Sequence, residues 1–195
     1  MITALVLAAG ESRRMGRPKM RLSWGRKTVL GHVIEVLKAA GVGDVLVVVG
    51  GDREAVEAIA AAGEARTAFN PGYAGDEMLG SLQLGLRAMS AHTEAALITL
   101  GDQPYIREET VRSILDEYHE SSAALIVPSY HMRRGHPWLI ARQLWQSVLG
   151  LSSSQTPRDF LNQQSNAIHY LKVDTPTILQ DLDTPADYAG ATRPD

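Results

Sequence analysis

The stretch Leu5-Val6-Leu7-Ala8-Ala9-Gly10-Glu11-Ser12-Arg13-Arg14-Met15-Gly16-Arg17-Pro18-Lys19 joins an apolar run to a turn that is rich in glycine and cations. The run predicts a buried strand over residues 4–8. Gly10 and Gly16 bracket the turn, and glycine lets the backbone come close to a ligand. Backbone N–H groups and cations presented together suit a large anion, most simply a nucleoside triphosphate.

This loop differs from two widespread phosphate-binding loops. A Walker A loop has lysine directly after its second glycine, whereas Lys19 lies three residues past Gly16 and precedes Met20. The dinucleotide fingerprint needs three closely spaced glycines before a helix. The alternative is an ordinary basic surface turn. That alternative gives no reason for a strand, two bracketing glycines and several cations to occur together, so we favour the ligand loop.

Apolar strand-like runs alternate with helix-like segments along the chain. Strands are predicted at residues 4–8, 45–49, 65–69, 95–100 and 123–127. Helices are predicted at 28–40, 53–62, 78–90 and 107–119. This order predicts a three-layer α/β/α, Rossmann-like fold with a mostly parallel sheet. Ligand-binding loops then meet at the carboxyl ends of the strands.

The pattern changes after Pro128. We expect a hairpin at residues 130–138, a strand end plus a helix at 139–148, and a late antiparallel strand at 168–173. Thr156 is predicted to cap a helix that has Pro157 at its first position and runs to Gln163. A last short helix is expected near residues 186–189.

Length, composition and charge limit the class of protein. The 195 residues suit one domain over 1–195, with 190–195 expected as a frayed tail. A net charge of −3 argues against general nucleic-acid binding. The charge therefore predicts no nucleic-acid partner. The absence of cysteine excludes disulfides and cysteine nucleophiles. Apolar runs are all shorter than the roughly 20 residues that span a bilayer, so we expect no membrane partner. The predicted first strand lies so near the first residue that we also expect no signal peptide and a cytoplasmic protein.

A second motif with a side chain suited to catalysis or metal binding is Leu100-Gly101-Asp102-Gln103-Pro104. The motif follows a predicted buried strand, so the Asp102 carboxylate should stand at the sheet edge that binds ligands. A carboxylate there suits Mg²⁺, which takes one or two protein carboxylates together with substrate phosphates. The structural alternative is that Asp102 only stabilises the turn before the next helix.

Four motifs, in order, resemble those of the molybdenum cofactor cytidylyltransferases among the MobA-like nucleotidyltransferases. The first is the pattern Leu-Ala-Ala-Gly-x-Ser with its following arginine, Met-Gly and lysine at residues 7–19. The others are Gly101-Asp102-Gln103-Pro104, Gly135-His136-Pro137 and Asp181-Leu182-Asp183-Thr184-Pro185-Ala186-Asp187-Tyr188. They extend over almost the whole chain. The resemblance implies that an acceptor phosphate attacks the α-phosphorus of a nucleoside triphosphate and that pyrophosphate leaves.

The resemblance also implies roles for individual residues. It implies catalytic roles for Arg14, Lys19 and Asp102. It implies Mg²⁺ bound by Asp102 and Asp183, although Asp183 could instead cap the helix that follows it. The implied nucleotide-binding residues are Leu7, Ala8, Ala9, Gly10, Ser12, Arg13, Gly16 and Ser81.

The implied acceptor site contains Arg134, Gly135, His136 and Pro137. Arg133 or Arg134 would attract an acceptor phosphate, and His136 could hydrogen-bond to the acceptor. The alternative is a basic hairpin tip in solvent. The implied acceptor is of the molybdopterin type, with a molybdoenzyme or its chaperone as a downstream partner.

Two features leave the substrates open. Asp76 and Glu77 depart from the neutral residues expected before Ser81, because carboxylates beside a triphosphate repel it unless they turn outward or meet the metal. Ala8-Ala9-Gly10 resembles the cytidylyl enzymes, so CTP is preferred over GTP. The alternatives are a guanylyltransferase, a sugar- or polyol-phosphate nucleotidyltransferase, and a non-catalytic nucleotide-binding module that delivers cofactor.

Overall fold

The computed structural model describes residues 1–75 and 78–191. The expectations for Asp76, Glu77 and residues 192–195 of the tail lie outside the described residues. Gly190, where the tail was expected to begin, ends the last helix.

Strands and helices alternate through the first two thirds of the described chain. The strands are β1 (Ile2–Ala8), β2 (Ser23–Trp24), β3 (Lys27–Thr28), β4 (Asp44–Val49), β5 (Arg66–Phe69), β6 (Ala95–Leu100), β7 (Leu125–Tyr130), β8 (Arg133–Arg134), β9 (Trp138–Ala141) and β10 (His169–Lys172). The helices are α1 (Val29–Ala39), α2 (Arg53–Ala62), α3 (Met78–Ala88), α4 (Glu108–Ser121), α5 (Trp145–Leu149), α6 (Pro157–Gln163) and α7 (Pro185–Gly190). Short 3₁₀ turns cover Arg13–Met15, Lys19–Arg21, Arg142–Leu144, Ser165–Ala167 and Pro176–Leu179. Among the described residues, no helix has the length and apolar character needed to cross a membrane.

The main sheet has the strand order β10-β7-β9-β6-β1-β4-β5, and β8 pairs with β7 at the side. β1 runs parallel to both β4 and β6. This confirms the predicted α/β class with a mostly parallel sheet. The prediction of an antiparallel strand at residues 168–173 is wrong, however. β10 runs parallel to β7, whereas β9 is antiparallel to both β6 and β7.

The central strands are apolar on both faces because helices cover both sides of the sheet. All six residues of β6 are buried, as a strand between two helical layers requires. On one face α1, α2 and α4 pack against side chains such as Val6 and Val47. On the other face α3, α5 and α6 pack against Leu5 and its neighbours. The ends of the strands that carry the loops remain accessible between these layers.

Threonine caps fix the starts of three helices. The Thr28 side chain accepts a hydrogen bond from the Gly31 amide at the start of α1. Thr156 forms a capping box with Asp159 at the start of α6, which confirms the predicted cap with Pro157 at the first position. Such caps contribute about 1 kcal/mol each. They fix where the chain leaves each loop, and so help to hold the loops at the sheet edge.

Candidate active site

The glycine-rich loop after β1 folds back on itself. Ser12 and Gly16 both have left-handed backbones, with φ of 54° and 69°. The Lys19 amide donates a hydrogen bond to Ser12 Oγ at 3.0 Å. This bond ties the end of the loop to its beginning, so the 3₁₀ turn that starts at Lys19 lies next to the carboxyl end of β1.

Lys19 joins two distant aspartates. Its side chain is only 9% exposed, and its Nζ lies 3.1 Å from Asp102 Oδ2 and 2.6 Å from Asp183 Oδ1. Burial by itself would lower the pKa of Lys19, but the hydrogen bond to Asp183 and the charge of Asp102 outweigh this effect and raise the pKa above its ordinary value. Lys19 is therefore a fixed positive charge at neutral pH.

The two aspartates are held together by backbone as well as by Lys19. The Leu182 amide donates to the Asp102 carbonyl oxygen at 3.0 Å, which joins the loop after β6 to the segment before α7. The Asp183 carboxylate does not cap α7, because the Thr184 side chain does so in a capping box with Asp187. Asp102 does not cap α4 either, since Arg107 occupies the N-cap position of that helix. Neither carboxylate is thus used as a helix cap, and both instead contact Lys19 at the cavity.

The pair Asp102 and Asp183 fits a divalent metal ion that also binds phosphate. Both carboxylates reach the same ammonium group, so one cation can contact them together. Within residues 1–75 and 78–191, no group of three or more His, Asp or Glu side chains is arranged to bind a metal. A metal at this pair would complete its shell with phosphate oxygens and water, as Mg²⁺ does.

Asp181 adds a third acidic group at the edge of this site. Partial burial, together with repulsion from Asp183 and Asp102, raises the pKa of Asp181. The side chain still lies at an accessible position of the cavity wall. A cation bound to the pair would favour the charged form of Asp181.

A cavity of about 300 Å³ opens in front of these residues. Its lining includes Leu7, Ala9, Gly10, Ser12, Arg14, Lys19, Ser81, Asp102 and Asp183. A second cavity, of about 460 Å³, lies next to it and shares Gly10, Ser12 and Lys19. Its lining also contains Ala8, Arg13 and Gly16. The structure thus brings the residues implied for nucleotide binding to two adjoining cavities.

Arg14, Arg13 and Ser81 have protein partners in the structure. Arg14 is largely exposed, and its Nη1 lies 2.6 Å from Asp183 Oδ2. Arg13 pairs with Glu11 at 2.5 Å and lines the second cavity. Ser81 is buried and accepts a hydrogen bond from Asn70 Nδ2 at 3.1 Å. The two arginines stay accessible to a ligand, whereas Ser81 is buried and held by its hydrogen bond from Asn70.

A third and larger cavity, of about 1090 Å³, contains the implied acceptor residues Arg134, Gly135 and His136. Pro137 is buried beside them and follows a cis peptide bond. Gly135 is required because a Cβ at this position would lie 2.3 Å from the Ile178 carbonyl oxygen. Met78 lines both the first cavity and this third cavity. We call the first the nucleotide cavity and the third the acceptor cavity, after the residues that the sequence resemblance implies for each ligand.

His136 lines this cavity and is partly buried. Burial lowers the pKa of His136 to about 4. The imidazole is therefore neutral at pH 7 and offers one N–H donor and one acceptor nitrogen.

We expect the lowered pKa of His136 to make stability depend on pH. The unfolded chain binds a proton at this residue below about pH 6.5, whereas the folded protein does not bind it until about pH 4. The stability contributed by neutral His136 is thus present above pH 6.5 and is lost as the pH falls towards 4. Urea unfolding at pH 7.5 and 5.0 should show a larger loss for the wild type than for His136→Gln. Parallel losses in the two proteins would contradict this prediction.

Several lining residues of the acceptor cavity were not identified from the sequence. They are Met78, Ser129, Met132, Arg158, Asn162, Tyr170 and Lys172. Arg133, considered beside Arg134, also lines the cavity. Most of them come from β7, α6 and β10, which lie far apart in the chain. The signal in the sequence was the density of cations after Pro128, but their convergence depends on how β10 pairs with β7.

The chain matches a known family over most of its length. The model of the MobA-like NTP transferase domain matches residues 4–168. Nicotine blue oxidoreductase of Paenarthrobacter nicotinovorans is 31% identical over 192 residues, which cover 94% of this chain and 92% of that protein. Molybdenum cofactor cytidylyltransferase of Escherichia coli is 28% identical over 193 residues, covering 97% and 95%.

Other similarities are shorter or structural. The bifunctional protein GlmU of Syntrophomonas wolfei is 29% identical over 134 residues, and the match spans 68% of this chain but only 29% of that protein. The crystal structure of Rv0371c from Mycobacterium tuberculosis superposes with a TM-score of 0.83 at 30% identity, covering 96% of this chain and 95% of that one. The same protein in complex with manganese gives a TM-score of 0.80 at 28% identity, with 96% of each chain covered.

Proposed function

The chain belongs to the MobA-like NTP transferase domain family and is a nucleotidyltransferase, and from this premise we propose that it transfers CMP from CTP to the terminal phosphate of a molybdopterin-type acceptor. Pyrophosphate is the second product, and Mg²⁺ is the proposed metal. The observation that carries the proposal is the contact of Lys19 with both Asp102 and Asp183 beside the nucleotide cavity. Of the relatives named above, the cytidylyltransferase supports CTP and molybdopterin.

The proposed reaction needs little covalent help from the protein. An oxygen of the acceptor phosphate forms a bond to the α-phosphorus, and the bond from the α-phosphorus to the bridging oxygen of pyrophosphate breaks. The acceptor oxygen is already ionised at pH 7, so no general base has to remove a proton. Catalysis then depends on alignment of the two phosphates and on stabilisation of the charge that develops on pyrophosphate.

The residues of the two adjoining cavities can supply both effects. Lys19 and Arg14 would hold triphosphate oxygens, and backbone N–H groups of residues 9–12 would support the phosphates. Asp102 and Asp183 would hold Mg²⁺, which neutralises phosphate charge when bound. Neutral His136 would hold the acceptor at the side of Met78, which lines both the nucleotide cavity and the acceptor cavity.

The choice between CTP and GTP rests on a short sequence feature. Ala8-Ala9-Gly10 resembles the cytidylyl members of the family, so we propose CTP ahead of GTP. The acceptor cavity would set the specificity for the acceptor molecule. We propose a cytoplasmic location, with a molybdoenzyme or its chaperone as the recipient of the product.

The test is the release of pyrophosphate when the protein is mixed with CTP, Mg²⁺ and molybdopterin. We expect release with CTP, less with GTP, and none when a sugar phosphate or a polyol phosphate replaces molybdopterin. Faster release with GTP would assign a guanylyltransferase, and release with a sugar phosphate would assign that acceptor class. A redox conversion of nicotine blue by the protein would indicate the activity named in the other relative.

Nucleotide binding is measured separately by thermal unfolding in the presence of Mg²⁺. A ligand that binds only the folded state raises the melting temperature, and a concentration of 100 Kd stabilises by about 2.7 kcal/mol. CTP should give the largest increase among the four common triphosphates. A CTP-dependent increase without any pyrophosphate release would instead indicate a cofactor-delivery module. No increase with any triphosphate would contradict the proposed function.

A further inference from the structure

Cationic side chains dominate the charged lining of the acceptor cavity. Among the described residues, four cationic side chains and no aspartate or glutamate line it: Arg133, Arg134, Arg158 and Lys172. The chain as a whole has a net charge of −3. Cations gathered in one concave surface repel one another and raise the local concentration of anions. The cavity is thus electrostatically suited to an acceptor with more than one negative charge.

Arg134 is held in a fixed orientation inside this cavity. Its Nε and Nη2 donate to Tyr170 Oη at 2.9 and 2.6 Å, and its Nη1 donates to Asn162 Oδ1 at 2.8 Å. A guanidinium has five N–H donors, so one remains on each terminal nitrogen. A guanidinium that is already oriented loses less conformational entropy when it binds an anion.

The strand register places a hydroxyl between two cations. Ser129 of β7 is the register partner of Lys172 in β10 and also of Arg134 in β8. Register partners on adjacent strands project their side chains to the same face. With strands about 4.8 Å apart, the outer two Cα atoms lie about 10 Å from each other. We call these three residues, Lys172, Ser129 and Arg134, the cationic row.

The cationic row lies on the face of the sheet that α6 covers. Leu125, Val127 and Ser129 are alternate residues of β7, so their side chains share one face of the sheet. Leu125 and Val127 pack with Phe160 and Leu161 of α6. The hydrogen bond from Arg134 to Asn162 agrees with this placement. The row therefore forms the sheet-side wall of the acceptor cavity, with α6 opposite.

Two members of the cationic row, Ser129 and Lys172, lie on strands that are separated by β9 from the strand that leads to Asp102. Asp102 follows β6, whereas Ser129 lies in β7, and β9 separates these strands. Two strand spacings correspond to about 10 Å, and Lys172 lies one spacing further away. A phosphate that reacts beside Asp102 cannot also reach Lys172 over this distance, so the outer part of the row needs another anionic group.

We propose that the cationic row binds a second anionic group of the acceptor, separate from the phosphate that attacks the nucleotide. The inference rests on the proposed function, because it assumes that the acceptor phosphate reacts beside Asp102. It narrows the acceptor to molecules that carry two separated anionic groups. Neutral sugars and polyols that carry one phosphate lack the group that the row would bind.

The kinetic test uses the full chain with CTP, Mg²⁺ and molybdopterin. Removal of one charged hydrogen bond costs about 1.5 kcal/mol, which corresponds to a factor of about 10. Lys172→Met should therefore raise the KM for molybdopterin about 10-fold, and Ser129→Ala should raise it by less. For both variants kcat and the KM for CTP should stay within about twofold of the wild type. Lys38→Met on α1 is the matched control and should change none of these values.

An unchanged KM for molybdopterin in Lys172→Met would overturn the inference. An equal fall in kcat and rise in the KM for CTP would also overturn it, because the row would then act on the nucleotide side.

The binding test does not depend on turnover. Crystals soaked in tungstate, with the nucleotide site filled by α,β-methylene-CTP, should show an anomalous peak between Lys172 and Arg134. The peak should disappear in Lys172→Met. Absence of the peak in the wild type, or its persistence in the variant, contradicts the second anionic site whatever the activity. A peak at the row in a protein that releases no pyrophosphate supports this site and contradicts only the proposed function.

Discussion

A Lys19→Met variant is expected to release pyrophosphate about 10²–10³-fold more slowly than the wild type at saturating substrate, which is the size of effect found when one preorganised electrostatic contact is lost. The Lys19 side chain is almost fully buried and its pKa is raised, so its positive charge stays at one position at neutral pH. Methionine has a similar shape but no charge. The loss should therefore appear in kcat, where developing charge on the leaving pyrophosphate matters most.

The control for this prediction is Lys27→Met. Lys27 is exposed and pairs with Glu35, and it lies outside the residues that line the cavities. Its kcat should match the wild type. Circular dichroism and thermal unfolding would establish that Lys19→Met is folded, since the variant leaves Asp102 and Asp183 without their buried partner. A folded Lys19→Met protein with wild-type kcat would contradict the catalytic assignment of this lysine.

An Asp102→Asn variant should show a similar loss of turnover, also about 10²–10³-fold, for a different reason. Asparagine keeps the shape of the side chain but removes the charge that would bind the metal together with Asp183. Loss of supporting groups around a metal reduces affinity 10–100-fold, so loss of a ligand should weaken Mn²⁺ binding by at least about 10-fold. Electron paramagnetic resonance of Mn²⁺ measures this binding without any turnover.

Metal binding distinguishes the two variants even if their rates are equal. In the wild type the Lys19 ammonium contacts both carboxylates and competes with a metal ion for them. Without nucleotide, Lys19→Met should thus bind Mn²⁺ more tightly than the wild type, whereas Asp102→Asn should bind it more weakly. Asp116→Asn, an exposed carboxylate on α4, should behave as the wild type. Equal Mn²⁺ affinity in Asp102→Asn and the wild type would contradict the metal site.

Local signals were enough to predict most of the fold. The β-branched run of β4 and the apolar run of β6 indicated strands covered on both faces, and both are buried. The Thr-Pro pairs predicted the starts of α6 and α7, because threonine caps a helix and proline suits its first position. In each case the deciding residues are neighbours in the chain.

The direction of the late strands could not be predicted in this way. The hairpin at Arg133–Arg134 folds back on β7, and the chain then places β9 between β6 and β7. Two helices follow before β10 returns parallel to β7. Periodicity reports whether a strand is buried but not which neighbour it pairs with, so the strand at His169–Lys172 was assigned the wrong direction.

In the candidate site, too, the sequence identifies individual residues but not the contacts that the fold creates between them. Motifs identified Lys19, Asp102 and Asp183 as residues that carry chemistry, but 83 and 164 positions separate Lys19 from its two partners. Their contact depends on the fold, including the backbone hydrogen bond from Leu182 to Asp102. Tyr170 and Asn162 fell within no motif, because their role follows from their bonds to Arg134.

The position of β9 divides the molecule into two parts with separate tasks. The strands from β6 to β5 support the glycine-rich loop and Asp102, while β7, β8 and β10 support the acceptor cavity, and in the sheet order of the described residues β9 lies between the two groups. We therefore expect substitutions in β7, β8 and β10 to affect acceptor recognition far more than nucleotide recognition. Such modularity offers a route to retargeting: grafting the β7–β10 region of a homologue should exchange the molecule that receives the nucleotide while the choice of base is inherited from the host.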